Sequence, residues 1–503
     1  MKPSSKNENK SIWKRPGLYM ALIMAAAVAF CLYGIFRLGV LPGFLLATIA
    51  AIFILLAVIA GFAMVSPSLG KGWKVFGWIM AIVVTITSCY TGWTMHVSNQ
   101  ALANISTHGE DDNKQEGSFV CLYVLNNGIL NTPADLEGRK IGVLTNMNQD
   151  TVKLVTDELT KDNVNVQYEQ FDSAIKMVQA VKGAAIDGMI LEQGYLSTLE
   201  EMPSMENIYD DIKALIRIEY EAPDTNQAEK VESLKPFTVY ISGIDTRTNQ
   251  LLRSSRSDVN LIATINPVAH EVLLISIPRD FYVETACLPE MGCMQGAMDK
   301  LTHTGLHGPE TTEMTLEKLF GVDINYNIRV NFSSLVSLVN ELGGITVNNS
   351  NDFAAGGYSF PSGELQLNGD EALMFVRERY SFADGDRERG RNQMRVLTGI
   401  IQKILSPSIL SNFSGIMNML SSSFETNMPD SAIRELIADQ LSSGKGWTIY
   451  SFSVTGNGGT DYAAELGDNA YVMYPDQYTI DQAKTDILSV MNGEVPPYVN
   501  VQG

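Results

Sequence analysis

Three apolar stretches occupy most of the first 97 residues and constrain the fold more than any other feature of the chain. Residues 18–38, 41–65 and 75–95 are each long enough to cross a bilayer, which takes roughly 20 apolar residues. Their only charged side chain is Arg37, near a helix end where its long stem reaches the headgroups. Because three such stretches follow one another and the first lacks a small-residue cleavage site, we predict transmembrane helices rather than a signal peptide. Buried helices of a soluble core are the alternative.

Basic residues predict the orientation of these helices in the cell membrane. They precede the first stretch and lie between the second and the third: Lys2, Lys6, Lys10, Lys14, Arg15, Lys71 and Lys74. Since positive loops stay in the cytoplasm, we expect a cytoplasmic N-terminus, three crossings, and an extracellular location for everything after residue 97. The formal net charge of −20 suits an exported domain and argues against nucleic acid as a partner.

The rest of the chain predicts two α/β domains. Residues 98–117 are polar and without period, as expected of a linker. Residues 118–222 alternate short strand and helix patterns and predict a small accessory domain. A polar segment that contains Pro223 separates it from a larger domain, residues 235–503.

Within the larger domain, the patterns predict a sheet covered on both faces by helices. Three β-branched runs are typical of buried strands: 237–243, 259–265 and 271–277. Helical patterns follow at 310–320, 333–342, 370–375, 389–405 and 479–491, with a further strand at 447–452. Strands mixed with amphipathic helices in this way predict an α/β or α+β sandwich.

Charged residues mark the ends of the first three of these strands. Asp245 ends the first strand, Asp258 begins the second, and Arg279 follows the third after Pro278. Because adjacent strand ends meet at one edge of a sheet, where ligands of open α/β sheets bind, we expect these side chains to lie together beside Arg256. Two carboxylates with open coordination positions suit Mg²⁺ when a polyphosphate supplies its remaining oxygens. For either Asp alone, a simple turn cap is the alternative.

Arginines are concentrated in residues 377–395 of this acidic chain. The six are Arg377, Arg379, Arg387, Arg389, Arg391 and Arg395. A guanidinium group matches two phosphate oxygens at once and keeps its charge, so this concentration predicts an anionic ligand. Arg377 and Arg379 share a face only in extended backbone, which predicts that the preceding helix ends just before them.

The predicted helix at 389–405, extended backwards by a few residues, carries two polar stripes. Arg389 and Gln393 are four residues apart and share one of them. The neighbouring stripe consists of Arg387, Arg391 and Arg395. For that second stripe we favour a solvated face or salt bridges with Asp386 and Glu388 over contact with a ligand.

Histidines and cysteines of the exported part allow both chemical and structural interpretations. His303, four residues after Asp299, and His307 suggest acid–base chemistry, but neither has a visible Ser or Cys nucleophile as a partner. We therefore favour structural hydrogen bonding for both. Cys287 and Cys293 are six residues apart and predict a local disulfide, with two free thiols as the alternative. No CxxC pair or His/Cys cluster in the sequence suggests zinc.

Several separated motifs resemble, in the same order, those of the LytR-CpsA-Psr family of cell-wall ligases. The resemblance covers about residues 237–405. Its carriers are Ser255-Arg256-Ser257-Asp258, Ser276-Ile277-Pro278-Arg279-Asp280, Asp299-Lys300-Leu301-Thr302-His303, Val376-Arg377-Glu378-Arg379-Tyr380 and the helix from Arg389 to Gln393. The three apolar stretches and the small domain after them further resemble the capsule-associated CpsA branch.

The resemblance implies a fold and a site. The family folds as an α-β-α sandwich with a hydrophobic tunnel for a polyprenyl chain. By resemblance, Asp245 and Asp258 hold Mg²⁺, and Asp258, Arg279 and Arg377 carry catalysis. The implied pyrophosphate ligands are Arg256, Arg279, Arg377, Arg379, Arg389 and Gln393. The chain departs from many members at Asn392 and Met394, which replace a second Arg and a second Gln, with Arg391 or Arg395 as candidate substitutes.

The resemblance also implies an activity. The family transfers a glycopolymer, for this branch a capsular polysaccharide, from an undecaprenyl-pyrophosphate carrier to peptidoglycan and leaves a phosphodiester link. Mg²⁺ and the arginines would stabilise the departing lipid phosphate while a sugar hydroxyl attacks, with Asp258 or a metal-bound water as the proton acceptor. The implied partners are the lipid-linked polysaccharide, peptidoglycan, the membrane and the polysaccharide-synthesis machinery.

Two rival functions use the same residues. One is a regulator that binds the lipid pyrophosphate without performing transfer, and the other is a pyrophosphatase that releases lipid phosphate to water. A transcriptional regulator fits poorly, because no helix-turn-helix pattern is visible and the domain is expected outside the cell.

Overall fold

The computed structural model describes residues 16–66, 68–105, 118–220, 234–244, 252–288, 291–382, 385–406 and 413–502. The three apolar stretches form helices α1 (Pro16–Leu38), α2 (Gly43–Val65) and α3 (Lys71–Ile105). All three are long and apolar enough to cross a membrane. The structure thus agrees with the predicted number and position of the spans.

Helix α3 extends further than the sequence predicted. It continues past residue 97 to Ile105, so residues 98–105 are helical and not part of a linker. Ala101, Leu102 and Ile105 lie on one side at helical spacing and are buried, which favours continuation of the helix through this otherwise polar stretch. The rest of the predicted linker, residues 106–117, lies outside the described residues.

The accessory domain is built on a five-stranded sheet in the order β3-β2-β4-β1-β5. Its strands are β1 (Ser118–Leu125), β2 (Lys140–Leu144), β3 (Gln167–Phe171), β4 (Gly188–Glu192) and β5 (Ile212–Tyr220). Its helices are α4 (Gln149–Lys161), α5 (Ala174–Lys182), α6 (Tyr195–Glu200) and α7 (Ile208–Asp211). Strand β1 is buried on both faces, with Leu122 in one apolar cluster and Tyr123 in another.

The larger domain contains fifteen strands and eight helices among the described residues. The strands are β6 (Phe237–Ile244), β7 (Val259–Asn266), β8 (Glu271–Ile277), β9 (Tyr282–Glu284), β10 (Met298–Lys300), β11 (Tyr326–Asn331), β12 (Ile345–Asn349), β13 (Phe353–Ala355), β14 (Tyr358–Phe360), β15 (Gly363–Leu367), β16 (Phe424–Thr426), β17 (Thr448–Ser453), β18 (Gly456–Ala463), β19 (Asp468–Pro475) and β20 (Asn500–Gln502). The helices are α8 (Leu301–Thr304), α9 (Pro309–Phe320), α10 (Phe332–Glu341), α11 (Gly369–Arg377), α12 (Gly385–Ile404), α13 (Phe413–Ser423), α14 (Asp430–Ser443) and α15 (Gln477–Met491).

Seven of these strands form a mixed sheet in the order β16-β11-β6-β7-β8-β17-β20. Strand β7 runs antiparallel to both β6 and β8, whereas β11 is parallel to β6 and β17 is parallel to β8. The remaining strands form two-stranded sheets, of which β18–β19 is a long hairpin. The antiparallel β6–β7–β8 centre brings the end of β6, the start of β7 and the end of β8 to one edge.

Helices cover both faces of the seven-stranded sheet. In β8, Leu273 packs in one buried cluster with Ile487 of α15, and the adjacent Leu274 is fully buried on the opposite face. Helix α12 packs on that opposite face. Its Gly390 lies so close to Ser276 that an added Cβ would be 3.2 Å from the Ser276 Oγ. A strand buried on both faces has a nearly continuous apolar sequence, as β8 does. The predicted α-β-α sandwich is therefore confirmed.

By packing, the chain divides into two units. The first consists of Met1–Asn104, Leu410–Asn418 and Asp430–Lys445, and the second consists of Ile105–Ile409, Met419–Pro429 and Gly446–Gly503. Helix α14 thus packs with the apolar helices: Arg434 Nη1 donates to the carbonyl oxygen of Leu38, the last residue of α1, at 2.5 Å. The sequence prediction had placed this helix inside a continuous domain of residues 235–503, because chain order alone does not show where a short helix packs.

The accessory domain and the larger domain share a buried core within the second unit. Leu306 and Leu466 of the larger domain belong to the same apolar cluster as Leu199 of the accessory domain. The buried Ser173 Oγ of the accessory domain donates to the Leu466 carbonyl oxygen at 2.7 Å. The accessory domain is therefore packed against the larger one rather than only tethered to it.

Candidate functional site

The candidate site lies at the edge where β7 begins and β8 ends. Residue Asn260 pairs with Ile277 in the ladder, so Asp258 and Arg279 come next to each other just beyond the paired residues. Arg279 Nη1 donates to Asp258 Oδ1 at 2.5 Å, and the two side chains are 17% and 10% exposed. The expectation that these strand ends converge is correct for β7 and β8. Asp245, which follows β6 in the sequence, lies outside the described residues.

Arg256 completes an edge cluster, which we define as Arg256, Asp258 and Arg279. Its Nη2 is 3.7 Å from Asp258 Oδ2, and the residue is only 9% exposed. Backbone hydrogen bonds fix its loop, because Ser257 N donates to the Thr302 carbonyl at 3.1 Å. Gly305 permits this close approach, since an added Cβ would be 2.5 Å from the Ser255 carbonyl oxygen. The loop can therefore present a guanidinium group from a buried position.

A further basic residue, Lys300, borders the edge cluster and was not assigned from the sequence. Its Nζ is 2.5 Å from Asp280 Oδ1, while Asp280 Oδ2 is 3.7 Å from Arg279 Nε. Lys300 and Asp280 are both buried. Asp280 thus lies between two cations, Lys300 and Arg279. Lys300 follows Asp299 in one of the motifs that resemble the LytR-CpsA-Psr family. This position was the signal in the sequence that could have identified it as a site residue.

An acidic residue of the accessory domain also contacts the edge cluster. Glu201 Oε1 is 2.7 Å from Arg256 Nη1 and 3.2 Å from Arg279 Nη2. Burial raises the pKa of Glu201, but the charges of Arg256 and Arg279 outweigh burial and lower the pKa to about 2. Burial alone would lower the pKa of Arg279, yet the charges of Asp258 and Glu201 raise it. The carboxylate and both guanidinium groups are therefore charged at neutral pH.

The arginines of α11 and α12 lie on two adjoining helices beside this edge. Arg377 is the last residue of α11 and is exposed, so the helix ends one residue later than the sequence predicted. Glu378, between Arg377 and Arg379, has an extended backbone. Arg379 Cζ lies 4.7 Å from the ring centre of Tyr380. Arg389 and Gln393 are half-buried on α12, and Gly390 of that helix lies against Ser276, close before Arg279 in β8. This contact places the first turns of α12 against the end of β8.

Two of the three arginines in the second stripe of α12 form salt bridges, as favoured from the sequence, whereas Arg387 donates to the Gly456 carbonyl oxygen at 3.4 Å. Arg391 Nη2 and Arg395 Nη1 lie 2.5 and 2.7 Å from the two oxygens of the buried Glu388. Arg395 also donates to Asn392 Oδ1 at 2.6 Å. Arg391 and Arg395 are therefore engaged within the helix and are poor substitutes for the family residues missing at Asn392 and Met394, which are both buried.

Both histidines have structural hydrogen bonds, in agreement with the favoured interpretation. His303 Nδ1 is 2.6 Å from Asp299 Oδ1, and both side chains are 2% exposed. His307 Nε2 is 2.7 Å from Glu465 Oε1, whose second oxygen accepts from Tyr195 of the accessory domain at 2.7 Å. The contact of Tyr195 with Glu465 joins the two domains. Neither histidine is placed among the residues of the edge cluster.

The His307–Glu465 pair predicts a pH-dependent stability. Burial lowers the pKa of His307, but the charge and hydrogen bond of Glu465 outweigh burial and raise it to about 9. A raised histidine pKa stabilises the folded state fully below the usual value near 6.5, and the stabilisation is lost as pH rises through 9. We expect the free energy of unfolding to fall by on the order of 3 kcal/mol across this window.

Thermal unfolding of the purified protein at about pH 6 and about pH 10 checks this expectation. His307→Gln should unfold at a lower temperature than the wild type at the acidic end and show a flatter dependence on pH. An identical pH slope in wild type and variant would show that another group titrates instead, such as the buried Glu192 or Tyr195 nearby.

Cys287 and Cys293 form the predicted disulfide. Within the described residues the free cysteines are Cys31, Cys89 and Cys121, of which the first two lie in the apolar helices. The disulfide closes a loop between β9 and β10, outside the edge cluster.

The edge cluster offers partial coordination for a divalent cation. No group of three or more His, Cys, Asp or Glu side chains suited to a metal occurs among the described residues. Asp258 Oδ2, however, is buried and accepts no hydrogen bond from any of those residues. Buried carboxylate oxygens are normally hydrogen-bonded, and a bound ion would satisfy one that is not. Together with Asp245 or with oxygens of a ligand, Asp258 fits Mg²⁺.

The chain is similar to one protein family and to known transferases. Residues 208–488 match the model of the LytR_cpsA_psr family. The chain is 33% identical over 238 residues to a polyisoprenyl-teichoic acid–peptidoglycan teichoic acid transferase, TagU, of Enterococcus faecalis, which covers 47% of this chain and 76% of that protein. TagU of Bacillus subtilis is 36% identical over 194 residues, 38% of this chain and 60% of that protein. The crystal structure of Bacillus subtilis TagV aligns with a TM-score of 0.42 at 26% identity, over 53% of this chain and 100% of that one.

Proposed function

This chain belongs to the LytR-CpsA-Psr family, and from that premise we propose that it is a transferase that moves a glycopolymer from a polyisoprenyl carrier to peptidoglycan. The relatives named above support the reaction class, because their names specify a polyisoprenyl-linked polymer and a peptidoglycan acceptor. The observation that carries the proposal is the edge cluster, in which the buried Arg256 and the partly buried Arg279 flank a carboxylate at a sheet edge.

The edge cluster suits phosphoryl transfer. That reaction needs alignment and neutralisation of charge more than covalent help from the protein. The Nε groups of Arg256 and Arg279 are buried and find no acceptor within the described part of the chain. Buried donors of this kind are normally paired, and the oxygens of a diphosphate would pair them. We assign Arg256 and Arg279 to the diphosphate, with Arg377, Arg379, Arg389 and Gln393 as further ligands.

In the proposed reaction, an acceptor hydroxyl forms a bond to the phosphorus that carries the glycopolymer and gives up its proton to Asp258 or to water. The bond from that phosphorus to the bridging oxygen breaks, and polyprenyl phosphate leaves with the electron pair. Arg279 and Arg377 stabilise the charge that develops on the departing phosphate. Asp258, with Asp245, would hold a Mg²⁺ ion, which supplies further neutralisation of the diphosphate when bound. Asp258 also keeps Arg279 in place through its 2.5 Å hydrogen bond.

The finer identity of the donor is part of the proposal. We propose undecaprenyl pyrophosphate as the carrier and capsular polysaccharide as the polymer, supported by the order of three apolar helices and an accessory domain that resembles the capsule-associated branch. A cytoplasmic N-terminus places the end of α1 outside the cell. Arg434 donates to Leu38 at that same end of α1.

Transfer in vitro tests the proposal. The detergent-purified protein is incubated with a lipid-linked oligosaccharide and peptidoglycan fragments, with and without Mg²⁺, and the products are identified by mass spectrometry. We expect oligosaccharide joined to peptidoglycan by a phosphodiester, and only with Mg²⁺. Release of the oligosaccharide without joining would indicate a pyrophosphatase. Binding of the lipid without either product would indicate a regulator.

A further inference from the structure

Glu201 places a negative charge where the proposed donor's phosphate has to bind. It follows α6 of the accessory domain, whereas Arg256 and Arg279 belong to the larger domain. One oxygen, Oε1, contacts both guanidinium groups, at 2.7 and 3.2 Å. A terminal phosphate oxygen held between two arginines would make the same two contacts. The carboxylate thus occupies the position of a ligand atom.

The backbone that carries Glu201 is firmly anchored. Tyr195, at the start of α6, donates to the buried Glu465 at 2.7 Å. The preceding Gly194 packs so closely on the carbonyl of Ser254 that any side chain would collide with it. These contacts hold α6 against the loop that contains Arg256. The packing of the two domains therefore fixes the backbone of Glu201 beside the arginines.

The side chain of Glu201 can nevertheless leave without undoing that packing. It is 38% exposed, whereas Arg256 and Asp258 are 9% and 10% exposed. Its contacts to the edge cluster are two ion pairs through one oxygen, and the hydrogen bonds that dock the accessory domain involve other residues. Rotation of one partly exposed side chain would release both guanidinium groups toward an incoming anion.

We propose that Glu201 is a competing anion that the accessory domain supplies to the phosphate site: it pairs with Arg256 and Arg279 when no phosphate is bound, and it is displaced by the diphosphate donor. This inference rests on the proposed function. It gives the accessory domain a role in setting how tightly the site holds phosphate. After transfer, return of the carboxylate to the arginines competes with the lipid phosphate product and favours its release.

The direct test measures binding of inorganic pyrophosphate, with Mg²⁺, to the full-length protein in detergent by titration calorimetry. Glu201→Gln keeps the shape of the side chain and removes its charge. We expect this variant to bind pyrophosphate about tenfold to a hundredfold more tightly than the wild type, since a charge-assisted contact no longer has to be broken. Glu206→Gln, which removes an exposed charge from the same loop, should bind like the wild type.

The possible outcomes separate this inference from the proposed function. If Glu201→Gln binds pyrophosphate as the wild type does, or more weakly, the carboxylate positions the arginines and does not compete with phosphate. The inference would then be wrong, while the transferase proposal stands. If neither protein binds pyrophosphate, the phosphate site itself is misassigned. Glu201→Ala provides the same comparison should the Gln variant fail to fold.

Discussion

Arg279→Ala is expected to lower the rate of glycopolymer transfer by about a hundredfold to a thousandfold, the usual effect of removing one donor that stabilises developing charge. Arg279 is the central cation of the edge cluster, with Asp258 at 2.5 Å and Glu201 at 3.2 Å. A double variant with Arg377→Ala should lose more. Arg279→Lys should recover only part of the rate, because an ammonium group keeps the charge but not the planar fork. The measurement is the initial rate of joining to peptidoglycan fragments.

The matched control for this prediction is Arg391→Ala. Arg391 is also an arginine, but it lies on α12, is 44% exposed and is paired with Glu388. Its removal should leave the rate close to that of the wild type, since Arg391 is not part of the edge cluster and Glu388 keeps its ion pair with Arg395. Unfolding temperatures must be compared in parallel, because Arg279→Ala leaves Asp258 partly buried without its main partner. A folded Arg279→Ala protein with the wild-type rate would contradict the assignment.

Asp258→Asn is expected to lower the transfer rate by about a hundredfold or more. It should also raise the Mg²⁺ concentration that is needed to reach the half-maximal rate. The substitution preserves shape but removes the charge of the buried carboxylate, whose Oδ2 has no hydrogen-bond partner among the described residues. A neutral amide is a weak ligand for a hard cation. The rate is measured against Mg²⁺ concentration, and Mn²⁺ binding followed by electron paramagnetic resonance gives an independent readout of the metal.

Asp280→Asn serves as the control for Asp258→Asn. Asp280 is a second buried carboxylate beside Arg279, but it is engaged by Lys300 at 2.5 Å and should not hold the metal. Its variant should keep Mn²⁺ binding even where the rate falls through a misplaced Arg279. Unchanged Mn²⁺ binding in Asp258→Asn would remove Asp258 from the metal site.

The central strands and the residues at their ends could be predicted from the sequence, because the local residue pattern determines them. The runs at β6, β7 and β8 are β-branched and apolar because these strands are buried on both faces. An antiparallel arrangement of neighbouring runs then brings the residues before β7 and after β8 together. The contact of Asp258 with Arg279 follows from local pattern and strand adjacency alone.

Features that depend on tertiary packing were missed. The hairpin β18–β19 begins with Gly456-Asn457-Gly458-Gly459, a composition with low strand propensity, and its pairing stabilises it instead. Strand β5 alternates apolar and charged residues at the edge of its sheet and was overlooked. Glu201 lies in another domain from the arginines it contacts, so no spacing in the sequence indicates the pair. The packing of α14 with the apolar helices is hidden for the same reason.

The most direct measurement is a structure of the full-length protein with Mg²⁺ and a polyprenyl diphosphate. We predict density for the diphosphate within hydrogen-bond distance, about 2.7–3.2 Å, of the guanidinium groups of Arg256 and Arg279, with the carboxylate of Glu201 turned away. Density for the diphosphate at another place, with Glu201 still bridging both arginines, would contradict the account.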